Sequence, residues 1–548
     1  MPSLDLSPDI GPLSHPDREL LKWLMNMATL PYFIFSPSTI LSMSGLYRGP
    51  DTTRATPVED WREATIDVII PALNEADNIV LCLASVLRQT VRPRRIMLID
   101  DGSTDGTVDV AKAFCEFHGV ELVAIQRRAP IGKTPTIKRQ ARELNSDVEF
   151  ILDGDTVLES DNYIERTVQE LFQGVGIASA FGTVMPQRTK DRRAIENSQQ
   201  VRAFAESRPV SGGVKDIGFV RRAARGITNM YRDVLYAYLQ RFIYRGQIVF
   251  FGTTSNPIGC AVAYRRKYVR ALFDYISPIL GDDLTNSEDV FIGFSMLNEG
   301  YRNVQVLDVC ARTVEPEIQR LPRQVYLWSS SFLQSCYYFD SLLRSPFKVI
   351  KRWRAQRRRG TSTVARKPAS TTPAYGARRV SMLAVAGGGS VLATGAGSPR
   401  QEFRAITPSE QPQSGAASGR RGATPAAGER RVVGEAYRQA FGRERTEAFG
   451  RPAGWILLMS AIEKVFFPTT LLIMVILQNW HGLAITLVAE TAMCLLALSL
   501  VMKGQRLEYV VKGLAITPIR YGLLACDLVT IGRFASDLWI TKNRKWRK

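Results

Sequence analysis

The sequence predicts an α/β protein built on a mostly parallel sheet, with C-terminal membrane helices and a disordered insert before them. Three observations carry this reading. From residue 65, short apolar runs alternate with helical segments, the pattern of βαβ units. Each polar motif of that region stands directly after an apolar run, at the carboxyl end of an expected strand. After residue 455, long apolar stretches return. Four regions follow: 1–64, a membrane-associated segment; 65–350, the α/β domain with interfacial helices; 351–450, a basic disordered linker; and 451–548, transmembrane or interfacial helices with a basic tail.

Composition narrows the function classes. The 548 residues are 45% hydrophobic, enough for a sizeable core, which excludes wholesale disorder. A net charge of +19 asks for an anionic partner: nucleic acid, a membrane surface or a phosphorylated substrate. The seven cysteines are scattered singly, without metal-type spacing, which argues against a zinc site or a disulfide framework. Three histidines leave little room for histidine catalysis. The N-terminus lacks the ordered features of a secretory signal, so none is expected.

Taken in order, residues 20–47 are apolar but broken by Pro31 and Pro37, and read as membrane-associated. "IDVIIP", "RRIMLID", "ELVAIQ" and "EFILD" read as buried strands. "NEADNIVLCLASVLRQ", "DGTVDVAKAFCEFHG" and "KTPTIKRQARELN" read as the helices between them. The strands deliver three polar motifs: "PALNE" at 71–75, "DDGSTDGT" at 100–107 and Asp153-Gly154-Asp155. In extended backbone, residues i and i+2 point the same way, so Asp153 and Asp155 can face one ligand. Paired carboxylates at a strand end suit a hard divalent cation, which can hold a diphosphate. An isolated Asp-Gly-Asp is more often a helix-initiating turn, and "DDGSTDGT" alone reads equally well as an N-cap turn. Three such motifs on adjacent strand ends favour a nucleotide-type site.

A second block follows at 246–310. "NPIGCAVAYRRKYV" reads as a glycine-bearing loop entering a basic helix. "LGDDLTNSEDVFIGFSMLNEGYRNVQVLD" reads as an acidic loop, a helix and a Gly-Tyr turn into a strand. "EPEIQRLPRQVYLWSSSFLQSCYYFDSLL" is aromatic and amphipathic, suited to lie against a membrane. Residues 355–430 turn rich in Gly, Ala, Ser, Thr, Pro and Arg, a composition that cannot build a core. Aromatic residues are sparse there, so a solvated linker, not a nucleic-acid module, is expected. Deleting 365–425 should leave catalysis largely intact. Residues 455–478 and 482–502 are apolar, and 513–540 are apolar but carry Arg520, Asp527 and Arg533. Such charges at membrane depth tend to face protein or a polar path.

Assembled, "IPALNEADN", "DDGSTDGT", "GKTPTIK", "DGD", "SEDVFIGFSMLNEGYR" and "QVYLW" resemble the family 2 glycosyltransferases in kind and order. The segment after Gln324 is similar to membrane-bound processive synthases of the hyaluronan, type 3 capsule and cellulose type. The resemblance implies a GT-A fold, a UDP-sugar donor, Mg²⁺ or Mn²⁺, and a growing polysaccharide as acceptor. It implies that Pro71, Asn74, Glu75, Asp101, Lys133 and Asp153 bind the nucleotide-sugar, and that Asp153 and Asp155 hold the metal. Asp289, with Glu288, would be catalytic, Asp289 as general base; Gln324 and Trp328 would line the acceptor end. Three positions depart from the family pattern: Leu73 stands where an aromatic is frequent, Lys138 where asparagine is usual, and Leu327 where the Gln-x-x-Arg-Trp motif has arginine. Arg320 or Arg323 is a candidate to compensate for the last.

Asp282-Asp283 competes with Glu288-Asp289 for the base. In the family pattern the base opens a helix that ends at a glycine about three turns on, and Asp289 lies eleven residues before Gly300, about three turns. Basic residues 503–512 and the basic tail, against an uncharged "QNWHG" link, imply a cytosolic catalytic domain in an integral protein of the plasma membrane. On that topology residues 513–540 do not span once but lie along the interface or re-enter. Two alternatives remain: single addition of a sugar to a lipid-linked acceptor, and an inactive membrane scaffold that keeps the fold.

Overall fold

A computed structural model describes residues 18–20, 22–23, 37–47, 59–173, 176–207, 219–280, 287–347, 354 and 452–541. The expected disordered insert and the Asp282-Asp283 pair lie outside the described residues. The first helix, α1 (Pro37–Tyr47), precedes the alternating core. β1 (Ile66–Ala72), α2 (Ile79–Leu87), β2 (Arg95–Asp100), α3 (Thr107–Phe117), β3 (Leu122–Gln126), α4 (Lys133–Glu143) and β4 (Val148–Leu152) follow in the order read from the sequence. β1 pairs in parallel with β2 and β4, and β2 in parallel with β3. Every residue of β4 is buried, as are Ile66, Val68, Ile69, Ile70 and Ala72 of β1, so these strands are mostly apolar runs sandwiched by helices, broken by the buried Asp67 and Glu149.

The remaining half of the sheet is mixed. β5 (Thr156–Leu158), α5 (Tyr163–Gln173), β6 (Ile177–Pro186), α6 (Thr189–Glu196), α7 (Gln199–Ser207) and α8 (Phe219–Tyr238) continue the chain. A π-helical turn at Leu239–Ile243 leads to α9 (Tyr244–Phe251), β7 (Ala261–Arg265), α10 (Arg266–Leu280), α11 (Glu288–Glu299) and β8 (Arg302–Thr313). The eight strands lie in the order β3-β2-β1-β4-β7-β6-β8-β5. "AVAYR" is therefore strand β7, not part of a loop entering a helix. It is fully buried, antiparallel to both β4 and β6, and too short for its period to be read from sequence. Because β7 runs against β4, its amino end (Ala261) sits beside the carboxyl end of β4 (Leu152). That reversal brings the loop at 252–260 to the edge where the three polar motifs already gather.

α12 (Leu321–Tyr338) and α13 (Asp340–Leu343) close the domain. α12 packs on α11, and Ser329, Ser330, Ser331, Leu333, Gln334 and Ser335 are buried, so its C-terminal half belongs to the core while Pro322 and Arg323 are exposed. Its many serines hide this, because they let neighbouring helices approach closely. Then come α14 (Pro452–Ile476), α15 (Trp480–Val501) and α16 (Arg506–Trp539), all long and apolar enough to cross a membrane. Phe466, Leu472, Val475, Ile476, Ile485, Val488 and Leu496 are exposed along α14 and α15, an arrangement suited to lipid. α16 is one continuous 34-residue helix that begins among the basic residues 503–512. It touches the α/β domain at both ends: Lys512 Nζ pairs with Asp233 at 2.9 Å, Ser329 Oγ donates to Asp527 at 2.6 Å, and Arg533 lies over the Tyr326 ring. The charges of these helices pair with one another, Arg520 with Glu490 and Lys464 with Asp527 (2.8 Å). Such pairing lowers the cost these charges would carry at membrane depth.

Candidate active site

The donor side is built by short turns that tie to one another. Asn74 adopts a left-handed backbone (φ 59°), which asparagine tolerates better than most residues. Its N–H donates to Ser103 Oγ (2.8 Å), and its side-chain oxygen accepts from the Thr104 N–H (2.9 Å). The Glu75 N–H donates to Thr107 Oγ1 (2.9 Å) and the Ala76 N–H to Asp105 (2.9 Å). "PALNE" and "DDGSTDGT" are therefore one interlocked unit. Asp101 accepts from the Arg127 guanidinium (2.9 Å) and from the N–H groups of Ile131 (3.0 Å) and Gly132 (2.8 Å). It thus holds the loop that launches α4 and aims Lys133.

Lys133 is the centre of the site. Its ammonium meets Asp153 at 2.6 Å and Glu288 at 2.8 Å and donates to Gly259 O at 2.9 Å. Burial opposes its charge, but the two carboxylates outweigh that and hold it well above the usual lysine range. Gly154 has no side chain to spare: a Cβ there would lie 3.2 Å from Glu75, so the Asp-Gly-Asp turn packs directly on "PALNE". The Asp153 N–H donates to Cys260 O (2.9 Å), and Thr156 and Thr313 hydroxyls donate to Asp155 (3.2 and 3.4 Å). Burial raises the carboxyl pKa of both acids; Asp155 adds to the rise of Asp153, and Glu75 to that of Asp155. Glu75 is itself raised by burial.

The other wall is α11. Ser287 precedes it in extended backbone, and its hydroxyl donates to Asp289, as do the Val290 N–H (2.8 Å) and the Gly259 N–H (3.2 Å). Gly259 is required here, since a Cβ would sit 2.9 Å from that of Asp289. Burial, then Glu288, pushes Asp289 up to about 6, against its hydrogen bonds. α11 ends at Gly300, as expected, and the glycine caps it in the left-handed conformation (φ 90°).

Beyond Asp155, Glu315 and Arg232 form a buried ion pair (3.1 Å). Arg232, fully buried on α8, also donates to Gln324 and stacks over Trp328, 4.5 Å from the ring centroid. Its Nη1 makes no hydrogen bond among the described residues. Arg320 and Arg323 are exposed, so the guanidinium beside Gln324 and Trp328 comes from neither of them. Arg232 was not singled out from sequence because ninety-two residues separate it from Gln324. A fully buried arginine shows as such only once α8 is placed.

Asp153 and Asp155 are the residues that could hold a divalent cation. They supply hard carboxylate oxygens, and both carboxyl groups are raised first by burial and then by neighbouring carboxylates, a charge that a cation would offset. Among the described residues no cluster of three or more His, Cys, Asp or Glu suits a metal.

Residues 67–273 match the model of glycosyl transferase family 2. That stretch is similar to a family 2 glycosyl transferase domain. The sheet, with its mostly parallel order and its site at the strand ends, is consistent with the GT-A fold. An undecaprenyl-phosphate 4-deoxy-4-formamido-L-arabinose transferase of Serratia proteamaculans is 25% identical over 163 residues, 29% of this chain and 48% of that protein. A PGL/p-HBAD biosynthesis glycosyltransferase of Mycobacterium tuberculosis is 43% identical over 56 residues, 10% of this chain and 22% of that protein. The chain thus spans less than half the length of the curated relatives it matches. Among solved structures, a mannosyltransferase of Pyrobaculum calidifontis in complex with GDP-Man and Mn²⁺ is similar at a TM-score of 0.45 and 14% identity. That likeness covers 94% of this chain and 98% of the other. A glucosyl-3-phosphoglycerate synthase of M. tuberculosis in complex with Mn²⁺, UDP-glucose and phosphoglyceric acid is similar at 0.28 and 17%, over 50% of this chain and 80% of the other.

Proposed function

We propose that the protein is a membrane-bound inverting glycosyltransferase that moves a sugar from a UDP-sugar to a growing polysaccharide. The observation that carries this is Lys133, which joins Asp153 of the transferase turn to Glu288 of α11 and so sets Asp289 and Asp155 around one space. Asn74, Glu75 and the Pro71 strand end line the nucleoside side, and Asp101 positions Lys133 beside the donor. Asp153 and Asp155 would hold a Mg²⁺ or Mn²⁺, which would neutralise charge on the diphosphate. Asp289 takes the proton of the acceptor hydroxyl, whose oxygen forms the new bond to the anomeric carbon. The bond from that carbon to the diphosphate breaks, and its electron pair leaves with the UDP. Gln324 and Trp328, steadied by Arg232, hold the acceptor.

The domain faces the cytosol of the plasma membrane on this reading, with α14 and α15 spanning. α16 lies along the domain, since contacts from Lys512 to Arg533 cover about 30 Å at 1.5 Å per residue, the thickness of the hydrocarbon core. A second reading, single transfer to a lipid-linked acceptor, is favoured by one observation: Ser329 and Tyr326, on the helix that carries Trp328, touch α16. The name of the Serratia relative points the same way. Incubating membranes with radiolabelled nucleotide-sugars and sizing the product separates the two. Long chains support the first, a single labelled lipid the second, and no transfer from any nucleotide-sugar overturns both.

A further inference from the structure

A second polar site lies away from the transfer chemistry, where α15 ends. Leu500, Val501, Lys503 and Gly504 meet Leu46 and Tyr47 at the end of α1, Leu307 of β8, and Arg241 and Arg245. They enclose a cavity of about 560 Å³. Its described lining holds three cations and no carboxylate. Arg245 donates only at 3.4 Å to Gly45 O, and neither Arg241 nor Lys503 enters an ion pair among the described residues. Arg241 is exposed on the π-helical turn, an irregularity that occurs frequently at functional sites. In that turn the buried Gln240 exchanges two 2.8 Å hydrogen bonds with the Val184 backbone, which fixes Arg241 on the outward side. The apolar part is as unusual as the charge: Tyr47 is 91% and Leu307 52% exposed.

Position identifies the ligand. α15 has 22 residues, about 33 Å of helix, so its final turn reaches headgroup depth when the helix spans. Cations at that level, above exposed apolar side chains, complement an anionic phosphate that carries acyl chains. We infer that this groove binds the headgroup of an anionic glycerophospholipid in the leaflet facing the transferase domain. It is not the acceptor site. Leu307 precedes Thr313, the residue that touches Asp155, by six positions of β8, about 20 Å. A phosphate in the groove is therefore too far from Asp155 for its own oxygen to react. Its role is to seat the domain on the bilayer, and it stands whether or not the sugar-transfer reading does.

The test uses full-length protein in phosphatidylcholine vesicles doped with phosphatidic acid bearing a photoactivatable acyl chain. Peptides containing residues 500–504 or 241–245 should be labelled, and unlabelled phosphatidic acid should compete. Inorganic phosphate at the same concentration should not. The Arg241→Gln/Arg245→Gln/Lys503→Gln variant should lose about tenfold or more of the labelling. Arg241→Gln and Lys503→Gln alone, should the triple variant misfold, are each expected to lose severalfold. Sugar transfer in detergent, measured on the same samples, should be unchanged. Equal labelling by a phosphatidylcholine probe, competition by inorganic phosphate, or undiminished labelling of the single and triple variants would overturn the inference.

Discussion

The two walls of the site are built by opposite means. On the proposed donor wall, Asn74, Glu75 and Asp101 sit in turns that directly follow strands, and their partners lie about thirty residues away in the next βα unit. On the proposed acceptor wall, Asp289, Glu315, Arg232, Gln324 and Trp328 come from four separate stretches, joined by long-range contacts. Local turns specify themselves through backbone hydrogen bonds. A wall of packed helices exists only when the whole domain is folded. The first wall should therefore tolerate change residue by residue, and the second should fail as a unit.

The largest expected effect is on the shared chemistry. Asp155→Asn should lower transfer by about 5 kcal/mol, more than a thousandfold, with the fold retained by circular dichroism. Excess chelator should do the same to the native enzyme, and full activity in chelator would remove the metal from the scheme. Next, Asp289→Asn should reduce kcat by about a thousandfold while UDP-sugar binding, read by calorimetry, persists. Asp283→Asn should be tolerated. Because burial raises Asp289 to about 6 and only its ionised form accepts a proton, kcat should fall about tenfold per pH unit below that value and level off above it. A flat profile down to pH 5 would exclude Asp289 as the base.

Arg232 tests the unity of the acceptor wall. Arg232→Ala leaves Glu315 buried without its partner, which should destabilise the domain by about 3–5 kcal/mol, read as a lowered Tm. Arg232→Met with Glu315→Gln should restore much of the Tm but not the acceptor KM, because the stacking on Trp328 and the donation to Gln324 stay lost. Recovery of both would make Arg232 merely structural. The smallest pair sharpens the comparison directly. Gly259→Ala, whose methyl would crowd Asp289, should lower kcat about tenfold or more. Ser103→Ala, which removes one turn hydrogen bond, should cost only about 1 kcal/mol of stability and leave kcat close to native.

Much of this was legible in residue order. β1 through β4 and the helices between them were read as they stand, because apolar runs and turn residues report local geometry directly. The same holds for the place of the three polar motifs at strand ends and for the position of Asp289 in the first turn of α11, a helix length before Gly300. β7 was not legible, since five buried residues carry no period and its antiparallel pairing depends on β4 and β6. Nor was the buried face of α12, masked by its serines. Three decisions belonged to tertiary structure alone. It set Lys133 between Asp153 and Glu288, it brought Arg232 to Gln324 and Trp328, and it laid α16 against the domain at both ends. Each joins residues far apart in the chain. Hydrophobic period and turn chemistry describe a segment's own geometry, whereas which distant cation meets which buried carboxylate is fixed only when the surrounding core excludes water from both.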